Sequence, residues 1–262
     1  MIAALALLGY AACAAWWVPA LLAPLTRRGV SVRAGLAAWL AAMASVLVSA
    51  AVAMEVSFRT VAADWPQLTQ DLCRSVAGSA CTPEVYGSVF YQAGVMMLAA
   101  SLALAGLVAA WRYGRRVGRS RAQTRSHARA ALLVGHAIAG RARTVMLDDP
   151  RPAAYCVAGP PAAIVVTSGA LAVLDQPQLE AVLAHEGAHL AHGHHTLATV
   201  TRGLAAAFPG IPLFARGAAE VARLTEMAAD DTAARASGRT ALAAALVAIA
   251  TGAAWSSAAF SS

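Results

Sequence analysis

His185-Glu186-Gly187-Ala188-His189 is the pattern H-E-x-x-H. Side chains four residues apart on a helix share a face, so two imidazoles at this spacing can approach one metal ion. Glu186 is turned by about 100° from the first histidine (one step of the 3.6-residue turn). From there its carboxylate can reach a water on that metal without being a ligand itself. A zinc ion lowers the pKa of such a water towards ~7, and a neighbouring carboxylate can take its proton as it attacks a carbonyl. The acid so formed can then protonate a leaving amine. The chemistry expected of this segment is peptide hydrolysis.

A catalytic zinc takes three protein ligands and a water, and the two histidines leave it one short. His195 stands six residues after His189, the spacing of the metzincin motif. That motif turns on a glycine where this chain has His192, with Gly193 one place late. The preferred third ligand is Glu226, in Glu226-Met227-Ala228-Ala229-Asp230-Asp231. Glu226 and Asp230 share a helical face. Glu226 can therefore ligate while Asp230 accepts the free ring N–H of a zinc histidine. His192, His194 and His195 read as polar residues at a helix end favoured by its dipole, or as groups that meet the substrate.

Several elements must hold these residues in place. Asp175, with Pro177 and Gln178 after it, has the form of a capping box opening a helix that carries the motif and ends near Gly193. Three strands are expected before it, at Arg143–Leu147, Ala154–Ala158 and Ala163–Thr167. The clusters Asp148-Asp149-Pro150-Arg151-Pro152 and Gly159-Pro160-Pro161 separate them as turns. A small sheet of this kind has an edge that can accept an extended peptide. A second helix, about Ala218–Ser237, carries Glu226 and Asp230 and closes at Gly238.

The rest of the chain is of different texture. Of 262 residues 59% are hydrophobic and 13% charged, which excludes a disordered chain and is too few charges to cover an ordinary soluble globule. Met1–Thr26, Ala34–Met54 and Val85–Trp111 carry no charge, and each is long enough to cross a bilayer. The first lacks the positive n-region of a cleaved signal peptide. The net charge of +7 comes with arginine as the sole basic residue type. Arg27, Arg28 and Arg33 lie between the first two spans and Arg112 to Arg129 follow the third, so these sides are cytoplasmic by the positive-inside bias. The N-terminus and the loop 55–84 are then external, where Cys73 and Cys81 can form a disulfide. The basic segment 112–129 reads as an anchor at anionic headgroups. It lacks the aromatic interleaving of a nucleic-acid surface, and no direct nucleic-acid binding is expected. The organisation is a membrane domain 1–111 with three transmembrane helices, the basic juxtamembrane segment 112–129, and a cytoplasmic peptidase domain 130–262. The uncharged tail 240–262 is either a fourth span or, as preferred, an alanine-rich core helix with the stripe Leu242, Leu246 and Ile249. The apolar stretch Leu204–Phe214 is too short and proline-rich to span; it either meets the membrane face or covers the site.

The run Ala163–Thr167, Ser168-Gly169, a short helix, Glu180–Glu186 and then Glu226-x-x-Ala229-Asp230 resembles the membrane gluzincin peptidases. Two groups share this layout, the HtpX and CAAX-prenyl-protease group and the BlaR/MecR antirepressor group. The segment Phe208-Pro209-Gly210-Ile211-Pro212-Leu213-Phe214 is more similar to the second. The resemblance covers about Arg143–Ala250 and implies an α-helical membrane protein with a cytoplasmic α+β zincin-like domain. It implies Zn2+ on His185, His189 and Glu226, with Glu186 as base and Asp230 behind a ligand. It also implies a protein substrate, which in the BlaR/MecR group belongs to a pathway that inactivates a transcriptional repressor. The chain departs from receptor members in having no large external penicillin-binding domain. Two other readings stay open: an HtpX-like quality-control protease, and a non-proteolytic membrane sensor that binds zinc structurally.

Overall fold

The computed structural model describes residues 2–27, 31–76, 83–138, 141, 143–159 and 162–259. Three long helices come first: α1 (Ile2–Arg27), α2 (Val32–Val76) and α3 (Pro83–Val134). Then follow β1 (His136–Ala137), β2 (Thr144–Leu147), β3 (Ala154–Val157) and β4 (Ala163–Thr167). The chain ends in α4 (Ser168–Val173), α5 (Gln176–Ala191), α6 (His194–Ala207), α7 (Pro212–Ser237) and α8 (Arg239–Ala259).

Helix α1 and the stretch Val32–Thr60 of α2 are each long and apolar enough to cross a membrane. Their outward surfaces fit lipid: Trp16, Trp17, Leu21, Leu25 and Val48 are all more than half exposed. The segment 55–84 is mostly helical, because α2 continues to Val76 and α3 starts at Pro83. Helix α3 then runs without a break from the third uncharged stretch through the basic segment 112–129. Cys81 lies outside the described residues, and with it the expected Cys73–Cys81 bridge.

The four strands form one sheet in the order β1-β2-β4-β3, with β2 parallel to β4 and the other pairs antiparallel. Alternation divides its faces. Val145, Val157 and Val165 pack on Ala128 and Ala131 at the end of α3. Ala154, Ile164 and Val166 face the other way, onto α4, α5 and α8. Strand β3 pairs with β4 along one side only, so its far side is a free edge. Thr167 joins sheet to helix: its hydroxyl accepts from Ala170 N–H as the N-cap of α4 and donates to the Arg151 carbonyl 2.8 Å away.

Helix α7 is the hub. Its first half packs Leu213, Phe214, Val221 and Leu224 against Ala11, Ala14 and Ala15 of α1 and Trp39, Met43 and Val46 of α2. Gly217 permits this approach, since a Cβ there would lie 3.2–3.4 Å from Met43 and Trp39. Leu204, Phe208 and Ile211 pack on the same cluster, and the Phe208 and Phe214 rings stack at 4.9 Å. The stretch Leu204–Phe214 is thus the tip of an α6–α7 hairpin lodged beside the two apolar helices, not a cover over the metal-binding helix. Leu224 faces Gly35 near the start of α2. From Leu224 back to Leu213 the hairpin reaches about 16 Å along α1 and α2, at ~1.5 Å per residue.

Helix α7 begins at Pro212, six residues before the expected start, with the proline in the first turn where its missing N–H costs nothing. At Gly238 (φ 87°) the chain turns 118° into α8. Helix α8 lies on the domain: Leu242 and Ala245 are buried, and Ala248 and Ile249 join the α4–α5 cluster. Leu246, assigned to the inner stripe from sequence, points outward and is half exposed.

Candidate metal centre

The motif helix α5 opens with the capping box read from sequence. The Asp175 carboxylate accepts from Gln178 N–H at 2.9 Å, and the Gln178 side chain accepts from Asp175 N–H at 3.2 Å. Val182 and Ala188 bury one side of α5, and Ala181 packs on Ala233 of α7 and Leu242 of α8. This packing sets α5 beside α7 with both motif imidazoles directed at Glu226.

The distances fit one ion. His185 Nε2 and His189 Nε2 are 3.1 Å apart, and each is 3.5 Å from Glu226 Oε2. A tetrahedral zinc with bonds of about 2.0–2.1 Å holds its ligand atoms about 3.3–3.4 Å apart. The triangle therefore has the size that such an ion requires. No other group of three or more His, Cys, Asp or Glu side chains of this kind occurs among the described residues. The two histidine side chains are 15% and 13% exposed while that of Glu226 is 61% exposed, so the cluster is backed by protein and open on the Glu226 side. Behind it, Asp230 Oδ1 lies 3.0 Å from His185 Nδ1. The pair is close but not aligned as a hydrogen bond.

Glu186 is turned away from this triangle towards the sheet. Its Oε2 accepts from the backbone N–H of Cys156 at 2.8 Å. Cys156 sits in the edge strand β3. Ala153 bonds to Thr167 and Tyr155 pairs opposite Val165, so Ala154 and Cys156 turn their backbone groups away from β4. The free edge of the sheet thus faces Glu186. Burial pushes the Glu186 carboxyl above the usual carboxylate range, with His185 and His189 pulling back against it. Burial, and then the Glu186 charge, push the Cys156 thiol up to about 12, so it is neutral near pH 7.

One residue of the centre was misread from sequence. His194 is buried, at 4% exposure, and its Nδ1 lies 3.1 Å from His189 Nδ1. It gets there because Gly193 adopts φ 62°, ψ 31°, which reverses the chain after α5 and returns the first residue of α6 to the motif. Burial is the largest cause holding the His194 imidazole down to about 4, and the neighbouring histidines add to it. His194 is therefore neutral at pH 7 and can accept a hydrogen bond. His195 turns away and pairs with the Thr196 hydroxyl at 3.1 Å. Arg223 is engaged outside the centre: its Nε and Nη2 both donate to Glu220 Oε2, at 3.0 and 2.8 Å. Arg27 of α1 holds the other oxygen of Glu220 at 3.0 Å.

Residues 119–262, more than half of the chain, match the model of Peptidase family M48. A protein named Protease HtpX homolog from Limosilactobacillus fermentum is 36% identical over 75 residues, which make up 28% of this chain and 25% of that protein. Its namesake from Ralstonia pickettii is 33% identical over 85 residues, 30% of each chain. That from Acidiphilium cryptum is 40% identical over 67 residues, 25% of this chain and 23% of the relative. The chain thus spans less than a third of the length of these curated relatives. No solved structure matches it. The chain belongs to peptidase family M48.

Proposed function

We propose that this M48 peptidase is a zinc-dependent endopeptidase that hydrolyses peptide bonds of a protein substrate at the cytoplasmic face of the membrane. The carrying observation is the three-atom cluster of His185, His189 and Glu226, closed to zinc spacing, with Glu186 beside it on the free edge of β3. His185, His189 and Glu226 would hold the ion. When bound, zinc supplies Lewis acidity, polarising the scissile carbonyl and lowering the pKa of a water.

The chain's own groups do the rest. An extended substrate segment pairs with the outward backbone groups of Ala154 and Cys156, which lays its scissile bond across α5. Glu186 gives up its hydrogen bond to Cys156 N–H as substrate enters, accepts the proton of the attacking water, and returns it to the leaving amine. Burial has already raised its proton affinity towards what a base working near neutral pH needs. Asp230, 3.0 Å from His185 Nδ1, is placed to orient that ring once the pair aligns, and His194 is placed to do the same for His189. The chain would cross the membrane three times, with its N-terminus outside and residues 112 onward in the cytoplasm. The arginines flanking the spans support that orientation.

The test is Glu186→Gln in the full-length protein. Zinc content stays at one per chain, while cleavage of an unfolded membrane-anchored substrate falls by about 10²–10⁴-fold. Retained cleavage with zinc bound would refute the assignment of the base. A narrower reading, inactivation of a transcriptional repressor in a signalling pathway, rests on the Phe208–Phe214 resemblance. Proteomic comparison of wild type with Glu186→Gln separates the two: one or two stabilised targets favour signalling, many damaged membrane proteins favour quality control.

A further inference from the structure

Helices α3 and α6 touch where Gly203 lets the Tyr113 ring and Val117 come close; a Cβ there would lie 2.8 Å from Tyr113. On the cytoplasmic side of that contact the helices part into a groove of about 310 Å³. Arg116, Arg119, Ser120 and Gln123 line it from α3, and Thr199 and Arg202 from α6. No carboxylate lines it, nor the neighbouring 380 Å³ cavity that shares Ser120, Thr199 and Arg202. Among the described residues none of the three groove arginines has an acidic partner, whereas Arg27, Arg59, Arg141, Arg151 and Arg223 each do.

Three arginines that line one cavity with no carboxylate repel one another, and an anion relieves that repulsion. The fork of arginine donors matches the oxygens of a phosphate, and the Ser120 and Thr199 hydroxyls add two more donors. The level along α3 is also informative. Exposed Trp111 has Arg115 over its ring at 4.5 Å, an aromatic and basic pair of the kind found at a membrane interface. The groove begins at Arg116, about 8 Å further along the helix at ~1.5 Å per residue. That is where phospholipid headgroups meet the cytoplasm, and basic pockets between helices on this side are known headgroup sites. A bounded cavity with no stacking aromatic does not fit a nucleic-acid strand.

We propose that the α3–α6 groove, through Arg116, Arg119 and Arg202, binds a phosphate-bearing anion, either the headgroup of an anionic phospholipid or a free phosphate ester. The site lies apart from the metal centre and does not depend on the peptidase assignment; its lipid form rests on Val85–Trp111 being a span.

The experiment uses the full-length protein in maltoside micelles. Binding of short-chain phosphatidylglycerol is titrated by native mass spectrometry, against phosphatidylcholine of equal chain length and, separately, glycerol 3-phosphate and inorganic phosphate. The variant is Arg116→Gln/Arg119→Gln/Arg202→Gln. The control, Arg33→Gln/Arg115→Gln/Arg129→Gln, removes the same charge outside the groove. At about fivefold per arginine, the groove variant should bind phosphatidylglycerol about 100-fold more weakly, with the control nearly unchanged. Should the triple variant fail to fold, Arg119→Gln and Arg202→Gln singly should each weaken binding about fivefold. Phosphatidylglycerol binding that the groove variant loses identifies a lipid occupant. Binding of glycerol 3-phosphate or phosphate alone, lost in the same variant, identifies a free one. Equal weakening in groove and control variants, or no preference for any phosphate anion over phosphatidylcholine, overturns the proposal.

Discussion

His194 gives the sharpest test of how the metal centre is held. His189 Nε2 faces His185 Nε2 and Glu226 Oε2, so that nitrogen must keep its lone pair for a metal. The ring proton of neutral His189 then sits on Nδ1 and needs an acceptor. The nitrogen placed to accept it is His194 Nδ1, 3.1 Å away. This fixes His194 as the tautomer protonated on Nε2. Burial, holding its pKa near 4, keeps that acceptor available at pH 5.5, where an imidazole with the ordinary pKa of about 6.5 would be mostly protonated. Removing a group that orients a ligand in this way costs about 10–100-fold in metal affinity, or about 1.4–2.7 kcal/mol. We expect His194→Ala to weaken zinc binding by that factor, measured by competition with a fluorescent chelator in micelles. His194→Gln, whose amide oxygen can accept, should recover part of the loss. His195→Ala, one residue on but paired with Thr196, should leave affinity unchanged. A His194→Ala protein that binds zinc within about twofold of wild type would refute the reasoning, since the predicted loss starts at ~10-fold. So would an equal loss in His195→Ala, because only a diffuse effect of the α6 terminus could produce it.

Phe214→Ala empties a fully buried ring site between α7 and the apolar helices. It should destabilise the protein by about 3–5 kcal/mol, seen as a lower thermal midpoint in micelles with the zinc stoichiometry of the folded fraction unchanged. Glu220 is buried and shared by two arginines, of which Arg27 has its side chain 67% exposed and Arg223 35%. Double-mutant cycles on thermal stability should give a larger coupling for Glu220–Arg223, in which two donors converge on one carboxylate oxygen, than for Glu220–Arg27, which should stay below about 1 kcal/mol. Gly193→Ala forces a Cβ into the left-handed region and should cost about 1 kcal/mol or more. It should also weaken zinc binding, because the same turn delivers His194; full zinc affinity in that variant would separate the turn from the centre.

Legibility in the sequence followed the range of the interactions. The strands β2, β3 and β4 were read within a residue or two because Pro, Gly and Asp clusters mark their ends locally. The capping box of α5 and the sharing of a face by Glu226 and Asp230 are likewise local, set by helical periodicity. Helix α6 was not recognised: it opens on Gly193 without a side-chain cap, and its first residues read as the frayed end of α5. The prolines of Leu204–Phe214 counted only against a membrane span, whereas Pro212 starts α7. What the stretch packs against lies more than 150 residues earlier, and no local pattern records that. His194 was missed for the same reason as α6, since its role depends on one left-handed residue reversing the chain. The Glu186–Cys156 bond depends on placing the edge of a sheet beside a helix, which short-range spacing does not specify.

The composition of the chain suggests a lipid-embedded half joined to a separate catalytic half, but the packing does not divide there. Leu213 to Leu224 of α7 fill the groove of α1 and α2, and Glu226 and Asp230 follow on the same uninterrupted helix. From Gly217, seated on Trp39 and Met43, to Glu226 is about 14 Å of continuous helix at ~1.5 Å per residue. The Glu220 pairs with Arg27 and Arg223 pin the helix in between, about 1.7 turns before Glu226. A helix of this length moves as a rod, so sliding α1 and α2 against it displaces the Glu226 carboxylate relative to the histidines of α5. A three-atom site with edges of 3.1–3.5 Å does not tolerate an ångström of such movement without losing its fit to zinc. The apolar helices are therefore part of what builds the candidate metal centre. Excising residues 1–60 should lower zinc affinity even though every ligand lies beyond residue 180.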